Sequence, residues 1–292
     1  LIVIGGLPEL VLQRVQGLGE VCSARLLGEY LTLQGEDCAV LDAREVLRVD
    51  HGELGVVVDW EDSARRLAAW RDAHPQRRVV ATGFVARDRE GRFTTLGRNG
   101  SDYSGAIFAA LYDAAELHIW TDVDGVLSAD PRVVPEAVQL GALSYDEACE
   151  LAYFGAKVVH PQTMSPAMER GLPIIIRNTF HPEHPGTRIT AERDAVGPVK
   201  GLTLSADLAL LNLEGTGLIG VPGTAERVFA ALRNAHVSVV MISQGSSEHS
   251  ICCVVRAGQV EAARAAVEDA FADAMADTQT QAVDVTHGIA IL

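Results

Sequence analysis

Hydrophobic residues recur along the first two thirds of the chain in two alternating patterns, one helical and one strand-like. Val21, Ala24, Leu27 and Leu31 recur at helical spacing, and short apolar runs bounded by turn residues predict buried strands. The predicted helices cover 20–33, 61–74, 102–115, 145–158 and 165–170, and the predicted strands cover 38–42, 78–82, 117–120 and 173–177. This alternation predicts an α/β fold, a mostly parallel sheet with helices on both faces, which binds ligands at the carboxyl ends of its strands.

The pattern changes after the polar, proline-bearing stretch 178–186, which is typical of a domain boundary or an exposed loop. The predicted elements that follow are strand 208–213, helix 224–234, strands 237–243 and 250–255, helix 260–274 and strand 282–286. They form a βαββαβ unit of small-domain size. We therefore expect two domains, 1–195 and 196–292, with a further strand at 287–292 that begins a second small unit.

Composition narrows the class of protein. The chain has 292 residues, 48% hydrophobic and 22% charged, which is typical of a soluble globular protein. Its formal charge of −15 disfavours nucleic acid and anionic membranes as main partners. The five cysteines form no CxxC or Cys/His pattern, which disfavours structural zinc and a disulfide framework and favours a reducing cytoplasm. No apolar run approaches the length of a membrane span.

The stretch 94–105 gathers glycines, hydroxyls, Arg98 and Asp102 directly before an apolar helical pattern. Glycines let a backbone approach a ligand closely, and the first N–H groups of a helix attract anions. We expect Ser101 and Asp102 to cap this helix, and the stretch to hold an anion beside the Asp102 carboxylate. An ordinary glycine-rich turn with an N-cap explains the same residues.

Other polar motifs also follow predicted strands, namely 83–84, 121–125 and, close behind, 130–132. A further stretch, 154–161, brings Lys157 from the end of a helix. These motifs would share one edge of the sheet, where carboxylates and cations suit phosphoryl transfer from a magnesium nucleotide. Taken singly, each has a more common explanation: residues 124–125 as a turn, Lys157 as a solvated charge and His160 as a structural loop histidine.

Taken together and in order, the motifs at 94–104, 119–125, 130–132 and 154–161 resemble those of the aspartokinase branch of the amino-acid kinase family. The resemblance continues through 174–179. The βαββαβ unit resembles the regulatory ACT domain of these kinases, with 242–251 similar to its effector-binding segment. Similarity is strongest to the kinase module of aspartokinases fused to a second biosynthetic enzyme, such as homoserine dehydrogenase.

The resemblance implies transfer of the ATP γ-phosphate to the β-carboxylate of L-aspartate with Mg²⁺, the first step of lysine, threonine and methionine biosynthesis. Arg98 would clamp a substrate carboxylate, and Asp102 would organise the reacting groups. Three more residues would complete the amino-acid pocket, namely Glu20, which would take the α-ammonium, Phe84 and Ser101. The positions that match the nucleotide side are Thr121, Asp122, Arg132 and Lys157, whereas Leu127 replaces a tyrosine that many relatives have there.

The resemblance also implies feedback regulation. Threonine or lysine would bind between ACT units paired in a homo-oligomer, with Gln244 and Ser250 on its polar side. The glycine-rich stretches 214–217 and 220–223 would offer free N–H groups to the effector carboxylate.

One family motif has no counterpart. Aspartokinases open on a strand and a Lys-Phe-Gly-Gly motif, whereas this sequence opens with Leu1 and ends within a predicted strand at 287–292, so we expect truncation at both ends. We therefore expect the chain alone to be weak or inactive as a kinase. Two alternatives stay open: a kinase for another amino acid, such as glutamate or acetylglutamate, and a non-catalytic fragment that acts as an amino-acid sensor.

Overall fold

The computed structural model describes residues 9–52, 55–154, 160–193, 199–215, 221–244, 250–276 and 282–291. The chain divides into two compact units, Leu1–Gly201 and Leu202–Leu292. Both combine helices with β-sheet, which confirms the predicted α/β class. No helix in the described ranges is long and apolar enough to cross a membrane.

The first unit alternates short strands with helices. Its helices are α1 Glu9–Leu33, α2 Ala43–Val46, α3 Trp60–Ala73, α4 Gly100–Leu111, α5 Tyr145–Phe154 and α6 Pro161–Glu169. Its strands are β1 Cys38–Leu41, β2 Val49–Gly52, β3 Gly55–Val58, β4 Arg78–Ala81, β5 Val85–Arg87, β6 Phe93–Thr95, β7 Leu117–Thr121, β8 Ala142–Ser144, β9 Ile174–Asn178 and β10 Thr187–Thr190.

The sheet of the first unit is less parallel than predicted. The described strands form a parallel β1–β4 pair, a four-stranded sheet in the order β7-β9-β10-β8, and the hairpins β2–β3 and β5–β6. Within the four-stranded sheet, β9 and β10 are antiparallel. Only the loop 179–186 joins them, and a parallel return needs a crossover of about a dozen residues or more. The polar stretch 178–186 is thus a loop inside this unit.

Helix α1 is longer than predicted, and one of the four residues of its predicted apolar face does not pack. Val21 and Ala24 are buried, but Leu27 is 50% exposed. Two glycines extend the packed face instead. A Cβ at Gly17 would lie 2.6 Å from Phe93 Cζ, and a Cβ at Gly28 would overlap Val40 Cγ2. Leu27 was included in the predicted face because a hydrophobic pattern does not register the neighbouring Gly28, which packs in its place.

Helix α4 lies between the two hydrophobic clusters of the first unit. Ile107 and Phe108 belong to the cluster around β1, α2 and α3. Ala106 and Ala109 belong to the cluster around α6, β9 and β10. Packing on both sides therefore fixes the position of α4 within the first unit.

The second unit confirms the predicted βαββαβ order. It comprises β11 Leu204–Glu214, α7 Thr224–Asn234, β12 Val239–Gln244, β13 Ser250–Arg256, α8 Val260–Ala270, α9 Ala272–Ala276 and β14 Ala282–Ile291. The sheet order is β12-β13-β11-β14, with every pairing antiparallel. The core of this unit includes Leu211, Leu213, Val228, Leu232, Val255, Val267 and Phe271.

The prediction of a separate strand at 287–292 was wrong. Residues 287–291 continue β14, which pairs with β11 as far as the Leu204–Ile291 pair. The reason lies in β11, which spans 11 residues where the pattern predicted six, so it offers partners to the whole of β14. Residue 292 lies outside the described residues.

Candidate functional site

A cleft of about 640 Å³ opens in the first unit between α1, the turn after β4 and the start of α4. Five residues predicted from the sequence to bind or activate the amino acid line it together: Glu20, Phe84, Arg98, Ser101 and Asp102. The structure therefore brings residues from three separate parts of the chain into one cavity. The cleft is also lined by Gln16, Thr95, Gly97, Asn99 and Gly100.

The wall formed by residues 83 and 84 is tied to α4 by one buried hydroxyl. Ser104 Oγ accepts a hydrogen bond from the Phe84 N–H at 3.1 Å and donates one to the Ser101 carbonyl at 2.8 Å. Phe84 adopts a left-handed backbone with φ 66°. A Cβ at Gly83 would lie 3.2 Å from Glu20 Oε2, so glycine allows this close approach of the backbone to the carboxylate.

The predicted cap of α4 was wrong. Asn99, in a left-handed conformation with φ 56°, is the N-cap and makes no side-chain capping bond. Gly97, with φ 75°, and Asn99 turn the chain so that Ser101 and Asp102 fall inside the first helical turn. Ser101 Oγ instead donates a hydrogen bond to Glu20 Oε1 at 3.3 Å. Ser101 thus connects α4 to α1.

The charged side chains of the cleft are one guanidinium and two carboxylates. Arg98 is exposed and makes no ion pair with any described residue. Glu20 and Asp102 are half-buried, and burial raises the pKa of the Asp102 carboxyl above its ordinary value. An unpaired guanidinium can hold a carboxylate in a bidentate fork, and carboxylates can hold an ammonium. The cleft therefore suits an amino-acid zwitterion.

Three of the four residues predicted for the nucleotide side lie in the described part of the chain. Thr121 ends β7, and its hydroxyl donates to Asp122 Oδ1 at 3.1 Å. Arg132 lies in the loop that follows and pairs with Asp130 at 2.6 Å. This pair and an N–H bond from residue 132 lower the pKa of Asp130 to about 2. Lys157 lies outside the described residues.

A polar cluster near the ends of β7 and β9 was not predicted. Asp124 Oδ1 accepts hydrogen bonds from Asn178 Nδ2 at 2.7 Å and from His181 Nδ1 at 2.9 Å. Residue 124 belongs to the motif 121–125, which was predicted as part of a phosphoryl-transfer site, with a turn as the alternative. Both segments follow the ends of parallel neighbouring strands, β7 and β9, in which Thr121 pairs with Asn178. Predicting that pairing would have placed residue 124 beside residues 178 and 181.

The predicted effector residues lie at the facing ends of two strands in the second unit. Gln244 ends β12 and is exposed, and Ser250 begins β13 and is half-buried. Gln244 pairs with Ile251 across the sheet. Gly223 caps α7 in a left-handed conformation with φ 91°. The glycine-rich residues 216–220 and the segment 245–249 lie outside the described residues.

Comparison with known proteins identifies the family to which the chain belongs. The model of the amino acid kinase family matches residues 8–178, and an ACT domain model matches residues 211–271. Since the first match covers more than half of the chain, the chain belongs to the amino acid kinase family.

The resemblance to aspartokinases is also confirmed. The chain is 45% identical over 284 residues to bifunctional aspartokinase/homoserine dehydrogenase 1, chloroplastic, of Zea mays, covering 95% of this chain and 31% of the maize protein. It resembles E. coli aspartokinase III in complex with lysine and aspartate, with a TM-score of 0.73 and 26% identity over 98% of this chain and 64% of that one. For the same enzyme in complex with aspartate and ADP, the TM-score is 0.72 and the identity 27%, over 94% and 61% of the two chains. The chain thus spans about a third of the length of the maize relative.

Proposed function

We propose that this chain is the kinase and ACT portion of an aspartokinase. Its reaction is the transfer of the ATP γ-phosphate to the β-carboxylate of L-aspartate, which gives β-aspartyl phosphate and ADP. One observation carries the proposal: Glu20, which is far in sequence from Arg98 and Asp102, lines one cleft with them, and their charges suit an amino acid. The maize and E. coli relatives support aspartate as the substrate.

The cleft divides the substrate's charges among its residues. Arg98 clamps one carboxylate, and the Glu20 carboxylate holds the α-ammonium. Ser101, whose hydroxyl reaches Glu20, and Phe84 complete the pocket. Asp102 organises the reacting groups from the first turn of α4, where a carboxylate interacts favourably with the helix dipole.

The nucleotide is proposed to bind at the carboxyl end of β7 and in the following loop. Thr121 and Asp122 offer oxygen ligands, and Arg132 and Lys157 offer positive charge to the phosphates. Within the described part of the chain, no three His, Cys, Asp or Glu side chains are grouped as metal ligands. Proteins commonly hold Mg²⁺ through one or two carboxylates and the substrate phosphates. Bound Mg²⁺ would neutralise phosphate charge, and Asp122 is the candidate carboxylate.

The second unit is proposed to be the regulatory domain, with the domains 1–195 and 196–292 as predicted. Threonine or lysine would bind at paired ACT units of a homo-oligomer, with Gln244 and Ser250 as polar contacts. The E. coli relative in complex with lysine supports an amino-acid effector. All five cysteines are free, which supports a reducing compartment, and we propose the cytoplasm.

Equilibrium binding to the intact chain tests the function. We expect L-aspartate to bind, Arg98→Ala to weaken that binding more than tenfold, and the control Arg193→Ala to leave it unchanged. Arg193 is a suitable control because it is exposed and pairs with Asp146, and it does not line the cleft. Tighter binding of glutamate or acetylglutamate would identify another amino-acid kinase. Binding of threonine or lysine without any binding of aspartate or nucleotide would identify a sensor.

Aspartyl-hydroxamate formation from ATP, Mg²⁺, aspartate and hydroxylamine measures catalysis directly. We expect slow product formation by this chain and none by its Arg98→Ala variant. Measurable product formation at the same rate by both would contradict the proposed clamp.

A further inference from the structure

The loop that carries Arg132 is closed at its base by hydrogen bonds. We call residues 126–140 the nucleotide loop. The Ser128 N–H donates to the Val138 carbonyl at 2.8 Å, and the Val138 N–H donates to Ser128 Oγ at 3.0 Å. Arg132 lies between these paired residues in the chain. The position of Ser128 therefore influences where the Arg132 guanidinium lies.

Gly201 packs directly against the base of this loop. A Cβ at Gly201 would lie 3.1 Å from the Ser128 carbonyl oxygen and 3.4 Å from Leu151 Cδ2 on α5. The backbone of Gly201 is not left-handed, so the contact alone decides the cost of a side chain at this position. Glycine allows the two backbones to approach this closely. The backbone of residue 201 thus supports Ser128 from outside the loop.

Lys200 holds this segment against the first unit. Its Nζ donates a hydrogen bond to Glu147 Oε2 at 2.9 Å, and its side chain is only 14% exposed. Glu147 Oε2 also accepts a hydrogen bond from the Ser144 N–H at 2.7 Å, just before α5 begins. Ion pairs between exposed side chains contribute little, whereas removal of one partner of a buried pair leaves an uncompensated charge. The Lys200–Glu147 pair therefore restrains the residue that follows it, Gly201.

Lys200 and Gly201 contact the nucleotide side of the first unit. Their contacts are with Ser128 in the nucleotide loop and with Glu147 and Leu151 on α5. Neither residue lines the amino-acid cleft. We therefore expect a change at either residue to affect the nucleotide and leave the amino acid unaffected.

We propose that Lys200 and Gly201 are positioning residues for the nucleotide, which hold the nucleotide loop so that Arg132 meets the phosphates. This inference rests on the proposed function, which assigns Arg132 to the nucleotide. Lys200 anchors the segment at α5, and the backbone of Gly201 supports Ser128. A guanidinium binds phosphate through hydrogen bonds that depend on distance and direction, so a displaced loop weakens binding.

Equilibrium binding of ADP with Mg²⁺ to the intact chain tests the role of Lys200. Lys200→Met removes the charge and keeps a long side chain, and we expect the Kd for ADP to rise several-fold. We expect Lys200→Arg, which restores the charge, to restore most of the affinity. The matched control is Arg193→Met, which removes an exposed pair with Asp146, the residue before Glu147, and we expect a change of less than about twofold.

Substitution of Gly201 tests the contact with the loop. Gly201→Ala places a Cβ against the Ser128 carbonyl, and the larger Gly201→Val displaces that carbonyl further. We expect the Kd for ADP to rise in that order. The control is Gly141→Ala, directly after the loop, where a Cβ meets nothing within 4 Å, and the expected change is less than about twofold.

Two further readouts separate positioning from a general loss of structure. We expect the Kd for L-aspartate, which is proposed to bind in the other cleft, to stay the same in every variant. We also expect the penalties of Lys200→Met and Gly201→Val to disappear in an Arg132→Ala background, because residues that act through the same group are not additive. Circular dichroism and thermal melting establish that the variants are folded.

The outcomes distinguish this inference from the function on which it rests. If the unmodified chain, Lys200→Met and Arg193→Met bind ADP with equal Kd values, the positioning role is wrong and the proposed nucleotide site stands. A penalty that is unchanged in the Arg132→Ala background, or that is equally large for aspartate, also overturns the positioning role. If the unmodified chain binds no ADP, the proposed function fails, and this inference fails with it.

Discussion

Ser104→Ala probes the hydroxyl that ties the turn after β4 to helix α4. Ser104 is only 2% exposed, and its Oγ takes part in one bond with the Phe84 N–H and one with the Ser101 carbonyl. The alanine variant keeps the backbone and loses both bonds. Phe84 then retains an unfavourable left-handed backbone without the bond that helps to hold it.

The expected magnitude follows from the unpaired groups. Leaving a buried donor without a partner costs about 1–3 kcal/mol. A loss of about 2 kcal/mol raises the open population of the turn about thirtyfold, since about 1.4 kcal/mol corresponds to a factor of ten. Because Phe84 and Ser101 both line the cleft, a looser turn also weakens aspartate binding.

Amide hydrogen exchange measured by NMR checks this prediction at the affected atom. We expect the protection of the Phe84 N–H to fall about thirtyfold, and the free energy of unfolding of the variant to fall by about 2 kcal/mol. The control is Ser23→Ala, where an exposed hydroxyl donates to the Glu20 carbonyl, and the expected change is below about 0.5 kcal/mol. Unchanged protection of Phe84 in the Ser104 variant would show that the Ser104 hydroxyl does not hold the turn.

Two further predictions concern the loop between β9 and β10. Gly186→Ala places a Cβ on the Ile176 carbonyl oxygen, whereas Gly171→Ala, also at positive φ, meets nothing within 4 Å. We therefore expect Gly171→Ala to lower the free energy of unfolding, measured with urea, by about 1–2 kcal/mol, and Gly186→Ala to lower it clearly more. Equal losses in the two variants would show that the Cβ at position 186 does not clash. The hydrogen bond to Asp124 raises the pKa of His181, so its contribution to stability is present below the ordinary pKa of about 6.5 and is lost as pH rises through the folded-state value. NMR titration should show this raised pKa and its decrease in Asp124→Asn; an unchanged pKa in that variant would contradict the pair.

Much of the architecture was predictable because local patterns specified it. Helix α7 has the predicted bounds, and the five residues predicted for the amino-acid pocket from a glycine-rich stretch and a family resemblance line one cleft. The N-cap of α4 was predicted wrongly because serine and aspartate are common N-cap residues. Only the backbone angles of Gly97 and Asn99 show where the helix begins. Gln16 was not predicted to line the cleft because an exposed glutamine on a helix has no distinctive sequence pattern. Its position one turn before Glu20 is the signal that could have found it.

The two glycine contacts of α1 restrict how the cleft can adapt to a ligand. Gly17 receives Phe93 and Gly28 receives Val40, and the two contacts lie about 16 Å apart along the helix, one on each side of Glu20. A helix locked at two such points can neither slide nor rotate without a clash. We therefore expect a ligand that enters this cleft to move the turn 97–99 rather than helix α1, so that Glu20 keeps its position.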